Sequence, residues 1–327
     1  MSSARLSAVA PYLVLPILML AVLPAMAFST WVTLTVAGLA MGMLLFLMAS
    51  GLTLIFGLMD VLNFAHGAFI TLGAYVAVTM LGALAGWTGA DSLGLNLLAL
   101  AVAIVVAMAA GGVLGVAFER VIVRRVYGSH LRQILITVGG LIVAEQLFVV
   151  FWGPDNLILP KPVTLRGSIA IGSVTIESYR LVCLVLGLAV ALAMQLVLTR
   201  TRIGLLVRAG VENREMVEAL GYRIRRLFVA IFATGSALAA LGGVMWAQYQ
   251  EVVTNNIGGD LFVLVLIILI IGGLGSVGGC FVGAILVGLV ANYTGFLAPK
   301  LALGSNIALM VLILLWRPRG LFPVAKW

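Results

Sequence analysis

The sequence predicts an all-α membrane protein, and three observations support this prediction. Of the 327 residues, 63% are hydrophobic and only 9% are charged, and the mean hydropathy is +1.24. The apolar residues fall in blocks of roughly 16 to 26, the length that an α-helix needs to cross about 30 Å of hydrocarbon. The sequence lacks the ~10-residue alternating segments of a transmembrane β-barrel. This composition excludes a soluble globular domain.

Ten apolar segments are predicted to form the spanning helices. The first follows Arg5 and ends in Ala25, Met26 and Ala27, which has the form of a signal-peptide cleavage site, but we expect a retained first span. Ten spans divide into halves of five, and an odd number in each half inverts the second relative to the first. Eight spans remain possible if one hydrophobic pair is re-entrant. The segments are 11–28, 31–57, 62–85, 95–118, 133–152, 180–199, 227–249, 259–274, 279–297 and 301–316.

The lysines and arginines predict the orientation of the chain. Placing the N-terminus in the cytoplasm puts fifteen of the 19 basic residues on the cytoplasmic side and only four outside. This bias follows the positive-inside rule, so we expect both termini in the cytoplasm. The net charge of +8 is then a sign of topology rather than of nucleic-acid binding. The four outer residues are Lys161, Arg166, Arg180 and Lys300.

The loop 200–226 is the one polar segment that looks like a connector within an otherwise single transmembrane domain, 1–327. From Glu212 the sequence predicts a short helix with acidic residues in its first turn and Gly221 as its C-terminal cap. Three apolar residues share one face of it, namely Met216, Val217 and Leu220. Such a helix is too short to be stable alone in water. It therefore either docks on a partner or is a solvated connector on the lipid surface.

Five short motifs resemble one family of transport proteins. Arg208 with Ala209, together with the run EALG ending at Gly221, resembles the cytoplasmic loop of ABC importer permeases, whose coupling helix sits in a groove of the ATPase subunit. The other motifs resemble the LivH-type permease of branched-chain amino acid importers. They are LNFAHG at 62–67, LGAY at 72–75, GGLGSVGG at 272–279 and RPRGLF at 317–322. Ala68 departs from the family, some of whose members have an acidic residue after HG, and this leaves the substrate open.

The resemblance implies a permease subunit of an ATP-driven importer in the bacterial inner membrane, without a cofactor and without enzymatic activity of its own. It implies a LivM-like partner permease, two cytoplasmic ATP-binding subunits and a periplasmic solute-binding protein. The solute would be a branched-chain amino acid or, in the alternative, urea or a short amide. Other classes are an ion-coupled secondary transporter and a channel or structural membrane protein. The residues implied in ATPase coupling are Arg208, Glu215, Glu218, Ala219 and Gly221.

Nucleotide and metal motifs are not supported by their context. Gly273, Gly275 and Gly278 match GxGxxG, but membrane spans flank them where a dinucleotide site needs a strand and a helix. We expect a structural turn there instead. No GxxxxGK[ST] occurs, so ATP hydrolysis would belong to another chain. The two histidines and two cysteines lie on separate segments, which predicts no metal site.

Glu145 is the most informative acidic residue in a predicted span. It lies about 10 Å inside the outer end of its helix, where an ionised carboxylate is costly unless it faces water or a partner. One hypothesis is a vestibule group that meets the ammonium of an entering amino acid. The alternative is a structural hydrogen bond with Gln146 or with another helix.

Asp60, Asn63 and His66 interrupt an apolar run between Gly57 and Gly67. Irregular backbone at membrane depth is tolerated only where protein or a water-filled cavity satisfies it, so these residues are candidates for a pore-lining break. The alternative is a cytoplasmic turn in which Asn63 caps the next helix and His66 packs in its first turn.

The longest predicted outer loop is 153–179, which contains Lys161 and Arg166. It is the best candidate for contact with a binding protein, and the alternative is an inert covering loop.

Overall fold

The computed structural model describes residues 3–202, 204–206, 209 and 214–323, most of which are helical. Four short strands lie outside the helices: β1 (Leu157–Ile158), β2 (Ser168–Ile171), β3 (Val174–Glu177) and β4 (Val252–Val253). The helices are α1 (Ser3–Val22), α2 (Phe28–Met59), α3 (His66–Ala83), α4 (Ala85–Thr88), α5 (Leu93–Val121), α6 (His130–Trp152), α7 (Ser178–Arg200), α8 (Arg214–Ala219), α9 (Ile224–Gln250), α10 (Ile257–Gly272), α11 (Val277–Leu297) and α12 (Ala302–Trp316).

The prediction of an all-α membrane protein is confirmed at this level. Among the described residues, seven helices are long and apolar enough to cross a membrane, and three shorter apolar helical segments accompany them. Most predicted segments agree with a helix to within a few residues. The first differs most, because α1 ends at Val22 and a short 3₁₀ turn, Leu23–Ala25, follows it with Pro24 at its second position.

Helix α9 lies at the centre of the bundle and packs against α2, α3 and α5, while α2 also packs along α11. Glycines allow these close approaches. The sequence has glycine pairs spaced four residues apart, a spacing that predicts close helix packing, among them Gly38/Gly42, Gly82/Gly86, Gly111/Gly115 and Gly279/Gly283. A Cβ on Gly42 would lie 2.8 Å from the Cα of Ile285 in α11, and one on Gly111 would lie 2.9 Å from the carbonyl oxygen of Ser236 in α9. The glycine pair that begins at Gly82 is different, since a Cβ there would meet no atom within 4 Å.

The two ends of the bundle can be told apart by their contacts. We call one end the arginine-rich end. There Asp60, the residue that follows α2, lies near the start of α6, and its Oδ2 is 3.8 Å from His130 Nε2. Tyr127 and Phe228 also meet there, with ring centroids 5.9 Å apart. At the opposite end, which we call the loop end, the segment 153–177 covers the bundle and forms the β2–β3 hairpin.

The glycine-rich motif is a turn between α10 and α11. Gly273 and Gly275 have φ values of +99° and +81°, which side chains rarely adopt, and the hydroxyl oxygen of Ser276 caps α11 by accepting from the amide of Gly279 at 3.1 Å. The C-terminal segment closes over the turn, because the amide of Phe322 donates to the carbonyl of Gly272 at 3.0 Å. A helix precedes this turn, so the geometry is that of the expected structural turn and not of a dinucleotide-binding loop.

Two interruptions of the helices have the same form and lie at opposite ends of the bundle. Helix α2 stops at Asp60 and α9 stops at Glu251, and these are the two non-glycine residues with positive φ in the described part of the chain, at +53° and +59°. In each case the amide of the acid donates to the carbonyl four residues earlier at 2.9 Å. After each acid a short linker returns toward the interior of the bundle and a new helix begins. We call the interruption after Asp60 the first break and the interruption after Glu251 the second break.

Candidate functional site

The linker after Asp60 reaches the middle depth of the bundle. The amide of Phe64 donates to Thr137 Oγ1 at 3.1 Å, and a Cβ on Gly140 would lie 3.9 Å from the Cβ of Ala65. Thr137 and Gly140 are roughly 10–15 Å from the first residue of α6 at 1.5 Å per residue. His66 lies equally deep, since its Nε2 is 2.9 Å from the carbonyl oxygen of Met48, about 16 Å before the end of α2.

The linker buries polar groups that have no partner among the described residues. The side chain of Asn63 is 1% exposed, and both its amide nitrogen and its amide oxygen lack a hydrogen bond, as does Nδ1 of His66. Asn63 does not cap α3, because the cap residue is Ala65 and no side chain bonds there. The capping role expected for Asn63 in a surface turn is therefore wrong. Buried polar groups without partners are costly, which is typical of functional sites.

Asp60 does not join Asn63 and His66. Its side chain is exposed at the arginine-rich end beside His130. The structure therefore divides the predicted polar cluster into one exposed residue at the arginine-rich end and two residues in the interior.

The two breaks meet inside the bundle. The amide of Gly258 donates to Thr71 Oγ1 at 3.0 Å, and a Cβ on Gly67 would lie 2.7 Å from the carbonyl oxygen of Gly258. Helices α3 and α10 therefore begin against each other. Each helix N-terminus carries a partial positive charge, so this point favours an anionic group such as a carboxylate.

Acidic side chains lie beside the start of α10. Glu145 is half-buried, and its Oε1 lies 3.2 Å from the position that a Cβ on Gly259 would take. Asp260, in the first turn of α10, acts on Glu145 electrostatically and accepts a hydrogen bond from Asn256 at 3.1 Å. Two neighbouring carboxylates favour a cation such as an ammonium group. The start of α10 thus brings two helix N-termini and two carboxyl groups close together.

The loop end is joined to the second break by strand pairing and by an ion pair. Strand β1 pairs with β4, which directly follows Glu251. Lys161 is only 8% exposed, contacts Glu177, and lies 3.0 Å from Glu251 Oε1. We call these three residues the clasp. Burial, the largest effect, lowers the pKa of Lys161, but its hydrogen bonds to the two carboxylates and their charges raise it more, so the pKa is raised above its ordinary value.

Helix α8 lies within the segment predicted to be helical, and its geometry agrees with the expected cap. Gly221 has a φ of +86° and donates to the carbonyl of Glu218 at 3.0 Å, while the amide of Tyr222 donates to Val217 at 3.3 Å, a Schellman motif. Val217 is buried, but Met216 and Leu220 are 56% and 68% exposed. The predicted apolar face is therefore divided between the bundle and the solvent.

The remaining predicted coupling residues are only partly visible. Glu218 and Ala219 are exposed beside α9. Glu215 belongs to α8, but its side chain lies outside the described part of the chain, and Arg208 lies outside the described residues altogether.

A family model for the permease component of branched-chain amino acid transport systems matches residues 34–316. The chain belongs to this permease family. The matched range runs from α2 to the end of α12, so it includes both breaks and the glycine-rich turn. The protein is therefore a multi-pass membrane transport subunit and not an enzyme, and the assignment does not favour an independent secondary transporter.

Curated relatives agree with the family assignment of this permease. It is 28% identical over 292 residues to the high-affinity branched-chain amino acid transport permease BraD of Pseudomonas aeruginosa, covering 88% of this chain and 94% of the relative. It is 28% identical over 297 residues to LivH of Escherichia coli K12, covering 87% and 92%. LivM of the same organism also matches, at 28% over 317 residues, covering 87% of this chain and 69% of LivM. No solved structure matches the chain.

Sequence reasoning missed the second break of this permease. Its signal is present, because Asp60 and Glu251 each stand seven residues before a glycine, Gly67 or Gly258, and each is followed directly by valine. The similarity is confined to this short stretch and the remaining residues differ, so the pattern becomes visible only when both acids are seen in the same backbone conformation.

Proposed function

We propose that this chain is one of two permease subunits of an ATP-driven importer for branched-chain amino acids or related small polar solutes. The substrate class is supported by the family description and by the names of BraD and LivH. The observation that carries the proposal is the meeting of two interrupted helices inside the bundle, where α3 and α10 begin against each other beside unpartnered polar groups. Interrupted helices at membrane depth are typical of substrate sites in transporters.

We infer ten spans in two inverted halves, α1, α2, α3, α5 and α6 followed by α7, α9, α10, α11 and α12. The support is the repeated acid at the end of the second helix of each half, Asp60 at the arginine-rich end and Glu251 at the loop end. Two copies of one feature at opposite ends are what an inverted repeat produces.

The proposed pathway is lined by Asn63, His66 and Glu145, with Asp60 at its inner mouth. The starts of α3 and α10 would receive the carboxylate of an amino acid, Glu145 with Asp260 would receive its ammonium, and the apolar helix faces would receive its side chain. The amide of Asn63 is enclosed in this conformation. We therefore assign the structure to a closed state, in which the residues of the pathway pack against each other.

The partners follow from the same proposal. A LivM-like permease would complete the pathway. Two ATP-binding subunits would bind on the cytoplasmic side, where α8, within the proposed cytoplasmic loop 200–226, is the contact on this chain. A periplasmic binding protein would contact the loop at 153–179. The exposed Met216 and Leu220 support docking at α8, because apolar side chains on a six-residue helix gain from a partner surface. Both termini would then lie in the cytoplasm.

Affinity purification of the tagged chain in mild detergent tests the assembly. We expect a second permease and ATP-binding subunits to co-purify, and vesicles that contain the complex and the binding protein to take up leucine only with ATP inside. Competition by excess urea tests the alternative solute. Uptake by this chain alone, driven by an ion gradient and without any co-purifying ATPase, would contradict the proposal.

A further inference from the structure

A cavity of about 660 Å³ opens at the arginine-rich end, between the end of α5 and the start of α9. It is separate from the proposed pathway, because none of its lining residues belongs to either break. Basic side chains dominate its wall, and tyrosine and aliphatic residues fill much of the remainder. The five arginines that line it are Arg120, Arg124, Arg223, Arg225 and Arg226.

The charges of this cavity are unbalanced. Among the described residues that line it, two are acidic, Glu119 and Glu218, so guanidinium groups exceed carboxylates there by five to two. The Glu119 side chain is fully buried, and its Oε1 accepts from Tyr127 at 2.6 Å, while Oε2 has no partner among the described residues. Guanidinium groups bind phosphate with paired, charge-assisted hydrogen bonds. A bound phosphate would relieve the repulsion among the arginines.

The surroundings of the cavity suit a lipid headgroup. Tyr222, Ile224 and Val229 contribute aromatic and aliphatic surface to its wall. The cavity lies where apolar spans give way to the arginine-rich segments, which is the level of the membrane surface. Basic pockets between helices on the cytoplasmic side are typical sites for phospholipid headgroups.

We propose that this cavity binds the phosphate of a membrane phospholipid headgroup. The guanidinium groups hold the phosphate. Because arginines outnumber carboxylates in the cavity, a lipid with a net negative charge, such as phosphatidylglycerol, binds more tightly than a zwitterionic lipid such as phosphatidylethanolamine. The cytoplasmic side of the site rests on the proposed orientation. The isolated chain can bind lipid without the ATPase partners. A negative result for lipid binding therefore does not contradict the proposed transport function, and the reverse also holds.

Thermal stabilisation of the purified, delipidated full-length chain tests the site. The probes are dihexanoyl phosphatidylethanolamine, dihexanoyl phosphatidylglycerol and inorganic phosphate, each titrated in the same detergent. We expect the glycerol lipid to stabilise the chain at the lowest concentration. Replacing both Arg223 and Arg226 by glutamine should raise its half-saturating concentration about 25-fold, at about five-fold for each arginine near a membrane surface.

A matched control removes two arginines from the same end that do not line the cavity. The double variant Arg125→Gln with Arg132→Gln should change the half-saturating concentration less than about three-fold. Equal losses in the cavity and control variants, no loss in either, or equal stabilisation by inorganic phosphate would overturn the proposal.

Discussion

Gly67 shows how a single residue sets the contact between the two breaks. Its missing side chain lets the backbone of α3 touch the backbone of α10, since a Cβ would come within 2.7 Å of the carbonyl oxygen of Gly258. A backbone atom cannot rotate out of the way as the end of a side chain can, so any larger residue must push the two helices apart.

Gly67→Ala should therefore destabilise the protein by about 1–3 kcal/mol, the usual cost of overpacking. The measurement is the unfolding midpoint of the purified chain in detergent. Gly82→Ala in the same helix is the control, because a Cβ there meets nothing within 4 Å and alanine favours the helix. Equal midpoints for the two variants would show that the contact between the breaks is not tight.

Glu145→Gln tests the proposed ammonium site. It keeps the shape of the side chain but removes its charge, so assembly should be unchanged while the KM for uptake rises about ten-fold, the effect of one lost charge-assisted hydrogen bond. Asp91→Asn, an exposed acid between α4 and α5, should leave uptake unchanged. Uptake kinetics of the Glu145 variant that match the wild type would remove this residue from the pathway.

At the scale of elements, the sequence predicts where most helices lie because the length of an apolar run is set by the thickness of the membrane. The start of α3 shows where the length of an apolar run no longer predicts the end of a helix. The apolar run begins at Leu62, but the helix begins at His66, because Asp60 adopts a left-handed conformation and the next five residues return beside the end of α2. The depth of Asn63 depends on packing between distant segments such as 64 and 137, which no local pattern encodes.

The exposed apolar face of α8 carries the second element-scale prediction. Replacing Met216 and Leu220 by serine should weaken association with the ATPase subunits about ten-fold or more, because burying each side chain contributes about 1.5–3 kcal/mol. Co-purification of the ATPase subunits with the tagged chain measures the loss. The control replaces Ile169 and Ile171, which are exposed on the hairpin at the loop end. If both pairs behave alike, α8 is not the docking element.

The clasp predicts coupling between the loop 153–179 and the end of α9, where the second break begins. Lys161→Gln leaves Glu177 and Glu251 without their shared cation and should cost about 1–3 kcal/mol, a discounted value because Glu251 is 45% exposed. Adding Glu251→Gln should cost less than the sum of the single variants, as measured by a double-mutant cycle on the unfolding midpoint. Strict additivity would show that the pair is not coupled.

The pH dependence of the clasp follows from the raised pKa of Lys161. A raised pKa means that the charged form is favoured by folding, so the contribution is complete below the ordinary value and is lost as the pH rises through the folded pKa. The cost of Lys161→Gln should therefore be constant between about pH 7 and about pH 9, because the lysine stays charged over that range.

At the scale of the whole molecule, the proposed orientation can be tested with single cysteines. Cys183 and Cys280 are 0% and 1% exposed, so the native thiols should not react with an impermeant maleimide. Ser173→Cys on the hairpin should be labelled in intact cells, and Ser129→Cys at the arginine-rich end only in inverted vesicles. The reverse labelling pattern would place the termini outside.

The contact between Gly67 and Gly258 has a mechanical consequence for alternating access. Where two helices meet through bare backbone, no side chains interlock, and rotation about that point disturbs less packing than rotation elsewhere. The clasp restrains the bundle on the loop side of this contact. In the proposed assembly, α8 restrains it on the arginine-rich side. The proposed halves would then rotate about the glycine contact. A movement of α8 at one face of the membrane would in this way open the pathway at the other face.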